Sequence, residues 1–327
     1  MSLINFIIKK FFLKKSIFLI KNFFYLLLRN KYYYVFYSEK HNYQGYYISL
    51  INELSKRNKS ILYLSSDIDD YVNDKMVTNL YVGKNFLRYF AFATINAKYF
   101  FLTTTDLNKN ELKKNKNINK YVYIFHCVNS ITNVYTKTAF DEYDIICCVG
   151  NYHLKEFNQP KYKDKLLLKT GYYYYDFIKA KKNNIKNEEE ISDTVLVAPS
   201  WNYSSKNFLE LHCLDLIYQL LEKNYKVIFR PHQEHFKRNQ KTISTINNKF
   251  CNNNNFVFDT SPFNLNSLFS SSYLITDYSG IAHEFIFLIN KPVLYFKNLS
   301  KIHNTEQNKL TGSTIEEHIY EKFGFPI

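Results

Sequence analysis

Polar residues suited to phosphate chemistry follow several apolar, β-rich runs in the second half of the chain. These residues are Ser200, Trp201, Arg230, His232, Thr260, Asp277, Ser279 and Gly280. In a parallel α/β sheet, ligands bind where the carboxyl ends of the strands meet, because loops and helix N-termini converge there. We therefore expect these residues to contribute to one binding site for a phosphate-containing donor.

The stretch TDYSG, which ends at Gly280, marks the change from a strand to an apolar helix. Ser279 and Gly280 lie where this helix begins, so unpaired N–H groups and the positive end of the helix dipole can receive a phosphate. Ser279 could instead be a helix N-cap, which stabilises by about 1 kcal/mol. Asp277 could likewise serve only to order the loop. His283 and Glu284, inside the helix, are interpreted as structural.

The run RPHQ presents Arg230 and His232 together at the point where a strand stops. An arginine with a histidine commonly holds a diphosphate and stabilises the charge that develops on it. A surface run without a functional role is the alternative. His235 lies three residues further on, but two histidines without a suitably spaced carboxylate make a weak metal site, so no metal is expected.

In the first half, the run YIFHC places His126 at the end of an apolar strand. A general base for a hydroxyl nucleophile needs an imidazole of near-neutral pKa that projects into the binding site. His126 is the best-placed candidate in this half of the chain. A buried histidine satisfied by a backbone carbonyl is the alternative.

Short β-rich runs alternate with helical stretches in both halves of the chain, more clearly in the second. The runs are YYYVFYS, SILYLSS, AKYFFLTTT, YVYIFHC and DIICCVG, then TVLVAPS, YKVIFRPH, FVFDTS, YLITDYS and PVLYF. This alternation predicts an α/β fold with two Rossmann-like domains, each built on a parallel sheet with right-handed crossovers.

The clearest boundary is the polar, charge-alternating stretch 179–193, which we interpret as a linker. It separates an N-terminal domain of residues 32–178 from a C-terminal domain of residues 194–327. Residues 1–31 form a separate segment ahead of both. The 327 residues, 46% of them hydrophobic, are sufficient for two packed domains.

The net charge of +14 is unevenly distributed along the chain. Residues 1–31 contain seven Lys and Arg residues and no Asp or Glu, so this segment supplies half of the excess. Nucleic-acid binders more often collect their charge on a folded face with interleaved aromatic residues. No nucleic-acid partner is therefore expected.

The segment 1–31 interrupts its apolar stretches with lysines, so no window reaches the roughly 18 to 20 apolar residues that span a bilayer. It also lacks the small-residue cleavage site of a signal peptide. We predict a basic amphipathic helix whose Phe and Leu side chains enter the headgroup region while its lysines meet anionic lipid. This interpretation makes the protein cytoplasmic and peripheral at the inner face of the cell membrane. The alternative is a helix packed against the protein's own core.

The five cysteines form no C-x-x-C pair, which favours a reduced, cytoplasmic compartment over a disulfide framework. The adjacent Cys147 and Cys148 point to opposite faces of a predicted strand, which disfavours a structural zinc site. No metal is expected at the cysteines either.

The runs FHCVNS, APSWN, RPHQ and TDYSG, with the NKPVLYF that follows, resemble the CDP-glycerol glycerophosphotransferase family, which includes the teichoic-acid polymerases. Members pair two Rossmann-like domains in the glycosyltransferase-B (GT-B) arrangement. They transfer a polyol phosphate from a CDP-polyol to an acceptor hydroxyl and release CMP. The resemblance covers residues 120–298 well and residues 32–119 only as a pattern.

The resemblance implies a role for each matching residue. His126 would activate the acceptor hydroxyl, and His232 with Arg230 would stabilise the diphosphate. Asp277 and Ser279, with the start of the next helix, would hold the donor phosphates and the polyol. The implied partners are a CDP-polyol donor and a surface-glycan or lipid-linked acceptor, and no cofactor is implied.

Three departures from the family pattern affect these assignments. Cys127 replaces the usual Gly and could reshape the acceptor side, Gln233 replaces the usual Pro, and Gly280 replaces the second Ser, which removes a hydroxyl but keeps the backbone donors. The leading hypothesis is a membrane-associated transferase of glycerol phosphate or another polyol phosphate. The main alternative is a GT-B glycosyltransferase that uses a nucleotide sugar in capsule or surface polysaccharide synthesis. A non-catalytic, membrane-anchored binding module, in which both histidines are incidental, is the third hypothesis.

Overall fold

A computed structural model describes residues 3–29, 31–40, 43–105, 107–109, 112–184, 193–202, 207–261, 264–296 and 314–327. The chain divides into two compact units. The first unit comprises Met1–His126 and Lys137–Phe177, and the second comprises Cys127–Thr136 and Ile178–Ile327.

Each unit contains one sheet in which every described strand pairing is parallel. The first sheet has the order β3-β2-β1-β4-β5-β6-β7 and the second has the order β10-β9-β8-β11-β12-β13. The strands are β1 Lys31–Ser38, β2 Ile61–Ser65, β3 Val77–Tyr81, β4 Asn96–Leu102, β5 Ile118–Ile124, β6 Ile145–Cys148, β7 Leu166–Lys169, β8 Thr194–Val197, β9 Lys226–Phe229, β10 Phe256–Phe258, β11 Tyr273–Thr276, β12 Val293–Tyr295 and β13 Gly324–Pro326.

Helices connect most of the strands, as a parallel sheet requires. The α-helices are α1 Leu3–Leu28, α2 Ile48–Lys56, α3 Phe86–Thr94, α4 Ile131–Val134, α5 Asn151–Glu156, α6 Tyr173–Asn184, α7 Phe208–Leu211, α8 Cys213–Glu222, α9 His235–Arg238, α10 Gln240–Phe250, α11 Leu265–Ser270, α12 Ile281–Glu284 and α13 Ile315–Phe323. Short 3₁₀ helices span Tyr43–Tyr46 and Pro160–Tyr162, and a π-helical turn, Phe285–Ile289, continues α12.

Both sheets have apolar cores, and the strand register brings the ends of neighbouring strands to the same edge of each sheet. In the first unit, Phe36 on β1 and Phe101 on β4 stack with ring centroids 4.3 Å apart. The register pairs Leu102 on β4 with Tyr123 on β5, so the residues that follow these strands reach the same edge of the sheet. In the second unit, the register pairs Val197 on β8 with Ile275 on β11, which brings the ends of those two strands together.

The second sheet is covered on both faces, which explains why its strands read as nearly continuous apolar runs. Helices α8 and α10 contribute Ile217, Leu221 and Ile246 to one buried cluster. Helix α12 and its π-helical continuation contribute Ala282 and Phe285 to the other. The sheet edge that carries the predicted donor residues therefore rests on a rigid apolar support.

The predicted α/β fold with two parallel sheets is confirmed, and all ten predicted strands are present. Three short strands were not expected: β3, β7 and β13. Their sequences, VTNLY, LLLK and GFP, are short, and each contains a polar or proline residue that weakens a strand pattern. These three segments nevertheless form strands, because β3 pairs with β2, β7 with β6 and β13 with β12.

Residues 127–136, predicted to belong to the N-terminal domain, pack with the second unit. Their attachment is a buried carboxylate far along the chain: Glu316 accepts hydrogen bonds from Ser130 N–H (3.0 Å) and from Asn133 Nδ2 (3.5 Å). The stretch 179–193, predicted to be a linker, begins inside α6, which continues to Asn184. Residues 185–192 lie outside the described residues.

Helix α1 has large apolar side chains on both faces of the part whose side chains are described, residues 16–28, and the predicted amphipathic, membrane-binding helix stays a prediction. The inner face packs on the first unit: Leu26 is buried, Asn22 Nδ2 donates to Tyr81 O (2.8 Å), and the rings of Phe23 and Phe90 lie 4.8 Å apart. The opposite face exposes Ile17, Phe18, Ile20, Phe24, Leu27 and Leu28. Within the ranges described, no helix is long and apolar enough to cross a membrane.

Candidate active site

His126 follows strand β5 and is oriented by the backbone of the neighbouring strand end. Its Nδ1 lies 3.2 Å from the carbonyl oxygen of Thr103, which follows β4. A carbonyl oxygen can only accept, so Nδ1 carries the proton and the neutral ring has its lone pair on Nε2. Tyr172 Oη donates to the backbone oxygen of His126 (3.0 Å), which fixes the chain at this point. The ring is partly exposed, as a base that meets a substrate requires.

His232 follows strand β9 and is held in the opposite way. Its Nδ1 accepts a hydrogen bond from the backbone N–H of Glu234 (3.2 Å). A backbone N–H can only donate, so the neutral ring carries its proton on Nε2 and presents a donor there. His232 is exposed, and the ring of Trp201 lies 6.2 Å from it at an angle of 32°. The Trp201 ring also contacts Arg238, whose guanidinium lies 5.4 Å from the ring centroid. This cation–π arrangement positions the indole.

Thr260 reaches this region through its backbone. Gln233, which follows His232 in the chain, donates from Nε2 to Thr260 O (2.9 Å). The Thr260 side chain is exposed. The loop after β10 is thus tied to the loop after β9 beside the exposed imidazole.

Asp277 and Ser200 form a buried pair at the ends of β11 and β8. Asp277 Oδ1 accepts from Ser200 N–H (2.7 Å), and Oδ2 accepts from Ser200 Oγ (2.8 Å). Both residues are only 2% exposed. Hydrogen bonds to a charged group contribute about 1.5–3 kcal/mol each, so this pair locks the two strand ends together. The arrangement matches the loop-ordering alternative for Asp277 more closely than direct contact with a ligand.

Arg230 is also largely occupied by the protein. Its Nη1 donates to Asn264 O (2.9 Å) and lies 3.9 Å from Asp259 Oδ2, and the side chain is 8% exposed. Asp259 in turn accepts from Ser267 Oγ (2.5 Å) and from the Ser261 N–H (3.0 Å). The Arg230 guanidinium therefore holds the loop after β10 through Asn264 and Asp259.

His235 is structural, as its neighbourhood demonstrates. It is 1% exposed, and its Nε2 lies 2.9 Å from Ser200 O while its Nδ1 lies 2.9 Å from Asn239 Oδ1. Both ring nitrogens are thus used within the second unit. Among the residues that the structure describes, no group of three His, Cys, Asp or Glu side chains could hold a metal ion.

Ser279 and Gly280 lie at the start of α12, as the sequence predicted, but Ser279 is not its cap. The N-cap residue is Gly280, and no side chain caps the helix. The Ser279 N–H is already used, since it donates to Asp277 O (2.8 Å) and to Tyr320 Oη (3.2 Å). By contrast, the N–H groups of Gly280 and Ile281 donate to no acceptor in the described part of the chain. These two groups and the Ser279 hydroxyl are the donors that an incoming phosphate can use.

Two titratable side chains inside α12 have shifted pKa values of opposite sense. The side chain of Glu284 is partly buried, and desolvation raises its pKa to about 7, although Arg230 acts to lower it. His283 is fully buried, which lowers its pKa to about 4, while a hydrogen bond with the Val128 backbone acts to raise it. Both residues were predicted to be structural. Their position beside Arg230 and the 127–136 segment makes them part of the support for the site.

Sequence reasoning missed Glu316 and Tyr320 on helix α13, which contact the loops that carry the predicted site. The sequence contains one signal for this helix: Thr314 and Glu317 form a capping box, with Glu317 N–H donating to Thr314 Oγ1 (3.3 Å) and Thr314 N–H to Glu317 Oε2 (2.8 Å). The pattern predicts a helix start but not what the helix contacts.

A known protein family shares the sequence pattern of the chain, and solved structures share its fold. The sequence profile of the family described as CDP-Glycerol:Poly(glycerophosphate) glycerophosphotransferase matches residues 22–307. None of the curated proteins matches the chain. The structure is similar to that of the wall teichoic acid polymerase TagF, with 18% identity over 81% of this chain and 70% of that one, at a TM-score of 0.54.

Two further structures share the fold. A variant of TagF soaked with CDPG has 18% identity, covers 90% of this chain and 80% of its own, and gives a TM-score of 0.55. The UDP-GlcNAc 2-epimerase of Methanocaldococcus jannaschii, in complex with UDP-GlcNAc and UDP, has 11% identity over 91% and 88% of the two chains, with a TM-score of 0.58. At these identities the likeness shows the GT-B-like fold alone, so the activity rests on the family profile.

The profile covers most of the chain, including every residue predicted for the site. It favours polyol-phosphate transfer over the nucleotide-sugar and non-catalytic hypotheses. The chain belongs to the CDP-glycerol:poly(glycerophosphate) glycerophosphotransferase family and is a transferase that uses CDP-glycerol as its donor.

Proposed function

We propose that His126 is the general base and that the second unit binds CDP-glycerol through His232, Ser279 and the N–H groups of Gly280 and Ile281. The observation that carries this division is the group that faces each Nδ1, a carbonyl oxygen at His126 and a backbone N–H at His232, from which we infer opposite tautomers. A lone pair on Nε2 suits proton removal, and an Nε2–H suits contact with phosphate oxygens.

The transfer step follows from these roles. The acceptor hydroxyl oxygen attacks the phosphorus that carries glycerol, while its proton passes to Nε2 of His126. The bond between this phosphorus and the oxygen that bridges to CMP breaks, and CMP leaves with the electron pair. His232 and the N–H donors at the start of α12 stabilise the charge that develops on the phosphate oxygens. Trp201 helps to position His232.

Arg230, Asp277, Ser200 and Thr260 act by positioning in this proposal. Asp277 and Ser200 tie two strand ends together, and Arg230 supports the loop after β10. Replacing any of them should disturb donor binding through the loops rather than by removal of a direct contact. In this proposal, His232 and Ser279 are the side chains that contact the donor directly.

The substrate question is tested by product analysis. The purified protein, with a lipid-linked glycan acceptor, should release CMP from CDP-glycerol faster than from CDP-ribitol and should release no nucleoside diphosphate from UDP-sugars. Release of UDP from a nucleotide sugar, without turnover of either CDP-polyol, would contradict the proposed substrate class.

We also propose that the exposed face of α1 lies on an anionic membrane, where a lipid-linked acceptor is found. Six large apolar side chains of residues 16–29 are exposed there beside the exposed Lys21 and Arg29. An apolar groove of about 480 Å³, lined by Phe23, Phe24 and Phe86 among others, opens on the same part of the unit. A basic helix with an exposed apolar face binds best to anionic lipid.

The packing of α1 decides how this proposal is tested, because deleting residues 1–31 would uncover the buried contacts of Leu26 and Asn22. Substitution of Phe24→Asp and Leu28→Asp leaves that inner face intact. This variant should lose sedimentation with vesicles that contain phosphatidylglycerol, whereas Leu211→Asp, a similarly exposed position in α7, should not. Equal binding by all three proteins would exclude the α1 face as the contact.

A further inference from the structure

Helix α13 lies beyond the residues that the family profile matches, yet it contacts the loops that carry the proposed site. Glu316 and Tyr320 are four residues apart, so they lie on the same face of this helix. Both are buried, with 4% and 1% of their surface exposed. A polar face buried against two loops is unusual for a surface helix and calls for specific partners.

The Glu316 carboxylate holds the loop that follows His126 in the chain. Its Oε1 accepts from the Ser130 N–H (3.0 Å) and its Oε2 accepts from Asn133 Nδ2 (3.5 Å). Ser130 is the N-cap residue of α4, so the carboxylate is hydrogen-bonded at the start of that turn. Because the loop is covalently joined to His126, its position affects the backbone that carries the proposed base.

The Tyr320 hydroxyl holds the donor-binding loop. It donates to Asp277 O (2.7 Å) and accepts from the Ser279 N–H (3.2 Å), so one oxygen bridges both ends of this turn. The side chain also packs on Tyr278 and Tyr295, with ring centroids 5.2 Å and 4.3 Å away. The turn that presents Ser279 to a phosphate is therefore fixed from behind by α13.

The two loops also meet each other. A Cβ built on Gly280 would lie 3.6 Å from Cβ of Cys127 and 3.7 Å from Oδ1 of Asn129. These are ordinary van der Waals distances for an added methyl group, so the two loops approach each other to within about one methyl group at Gly280. Within the second unit, the 127–133 loop, the turn at 277–280 and helix α13 form one packed group.

We propose that α13 is a positioning element that fixes the two loops in register, with Glu316 acting on the loop after the base and Tyr320 acting on the donor turn. The proposal rests on the proposed function of His126 and Ser279. It predicts different defects for the two residues. Tyr320 should control donor affinity, and Glu316 should control turnover at saturating donor.

Tyr320→Phe removes only the hydroxyl and both of its hydrogen bonds. We expect the Kd for CDP-glycerol, measured by calorimetric titration, to rise about tenfold, because the turn is no longer fixed before the phosphate binds. Glu316→Gln should leave this Kd within about twofold and lower kcat about tenfold, because the new amide places its N–H₂ against Asn133 Nδ2. Glu321→Gln, on the exposed side of the same helix, is the matched control.

A second substitution makes the Glu316 result specific. In Glu316→Gln with Asn133→Asp, the amide of residue 316 can donate to the carboxylate of residue 133 and still accept from the Ser130 N–H. The hydrogen bond is restored with its direction reversed, and kcat should return to within about threefold of the wild type. If α13 only stabilised the fold, the activity of each variant would fall in proportion to its loss of thermal stability.

The outcomes separate this proposal from the proposed function. If the wild type binds CDP-glycerol and releases CMP, but Tyr320→Phe keeps normal donor affinity and the double variant fails to recover, the role of α13 is excluded. If wild-type protein neither binds CDP-glycerol nor releases CMP, the proposed function itself fails. The predicted split between Kd and kcat, together with recovery in the double variant, would support α13 as the positioning element.

Discussion

His126 and His232 each follow an apolar strand of a parallel sheet, His126 in the first unit and His232 in the second, but their Nδ1 atoms face opposite hydrogen-bonding groups. The group beside Nδ1 is a carbonyl in one case, at Thr103, and an N–H in the other, at Glu234. One backbone group thus leaves the lone pair on Nε2 of one neutral imidazole and the proton on Nε2 of the other. The comparison shows that the role of a histidine depends on the neighbour of its second nitrogen.

The largest effect is expected at His126. His126→Gln keeps a polar side chain of similar reach but cannot take a proton, so kcat should fall at least about a hundredfold while the Kd for CDP-glycerol stays within about twofold. Steady-state CMP release and calorimetric titration measure the two quantities. His126→Ala should be equally inactive. Turnover near the wild-type value in either variant would show that another group removes the proton.

At His232 the glutamine and alanine variants should differ. Glutamine offers an amide N–H in place of Nε2–H, so His232→Gln should keep several-fold more activity than His232→Ala, in which both kcat and donor affinity fall about tenfold or more. The same pair of assays applies. If the two variants are equally impaired, the donor role of the ring is wrong and a proton transfer at His232 becomes the better explanation.

Ser279→Ala should affect the donor and not the fold. No side chain caps α12, so removal of the Ser279 hydroxyl should lower the free energy of unfolding by less than about 1 kcal/mol, the cost of losing a true N-cap. The melting temperature should therefore change little. The Kd for CDP-glycerol should nevertheless rise several-fold, since a hydrogen bond to a charged phosphate is lost. Ser270→Ala, in α11, serves as a control for hydroxyl removal. An unchanged Kd would place the phosphate elsewhere.

The last effect concerns stability and its pH dependence, with no effect on donor contacts. The folded pKa of Glu284, about 7, lies above its ordinary value of 4.5, so the folded state binds the proton more tightly and the contribution of Glu284 to stability is lost as the pH rises from 4.5 through 7. For His283, with a pKa of about 4 against an ordinary 6.5, the contribution is present above pH 6.5 and lost as the pH falls through 4.

Glu284→Gln removes only the first of these effects. Relative to this variant, the wild type should lose free energy of unfolding between pH 4.5 and 7 in urea denaturation. A constant difference between the two proteins over that range would mean that Glu284 is ionised throughout, as an unburied carboxyl would be.

The fold could be predicted well because the strands are long apolar runs between helical periods, for example YYYVFYS and YLITDYS. The strands that were not predicted, β3, β7 and β13, are short and lie at sheet edges. Their pairing depends on the neighbouring strand more than on their own sequence. The transfer of residues 127–136 to the second unit could not be foreseen, because it depends on Glu316, 186 residues away from Ser130.

The site shows the same limit. The residue types and strand-end positions of His126, His232 and Ser279 were readable from the sequence, because parallel strands bring such residues to one edge. The partners that give each residue its role are backbone groups and distant side chains, such as Thr103 O and Tyr320 Oη. Periodicity and spacing contain no information about these partners, nor about the Ser200 and Asn264 groups that Asp277 and Arg230 contact, and the assignment of these two residues to the ligand stays a prediction.

The central claim is tested most directly by the nitrogen chemical shifts of the two imidazoles, measured by long-range ¹H–¹⁵N correlation at a pH where both rings are neutral. The His126→Gln and His232→Gln variants assign the signals. We predict a protonated Nδ1 with an unprotonated Nε2 for His126, and the reverse for His232. A proton on Nε2 of His126, or on Nδ1 of His232, would contradict the division of roles between base and donor.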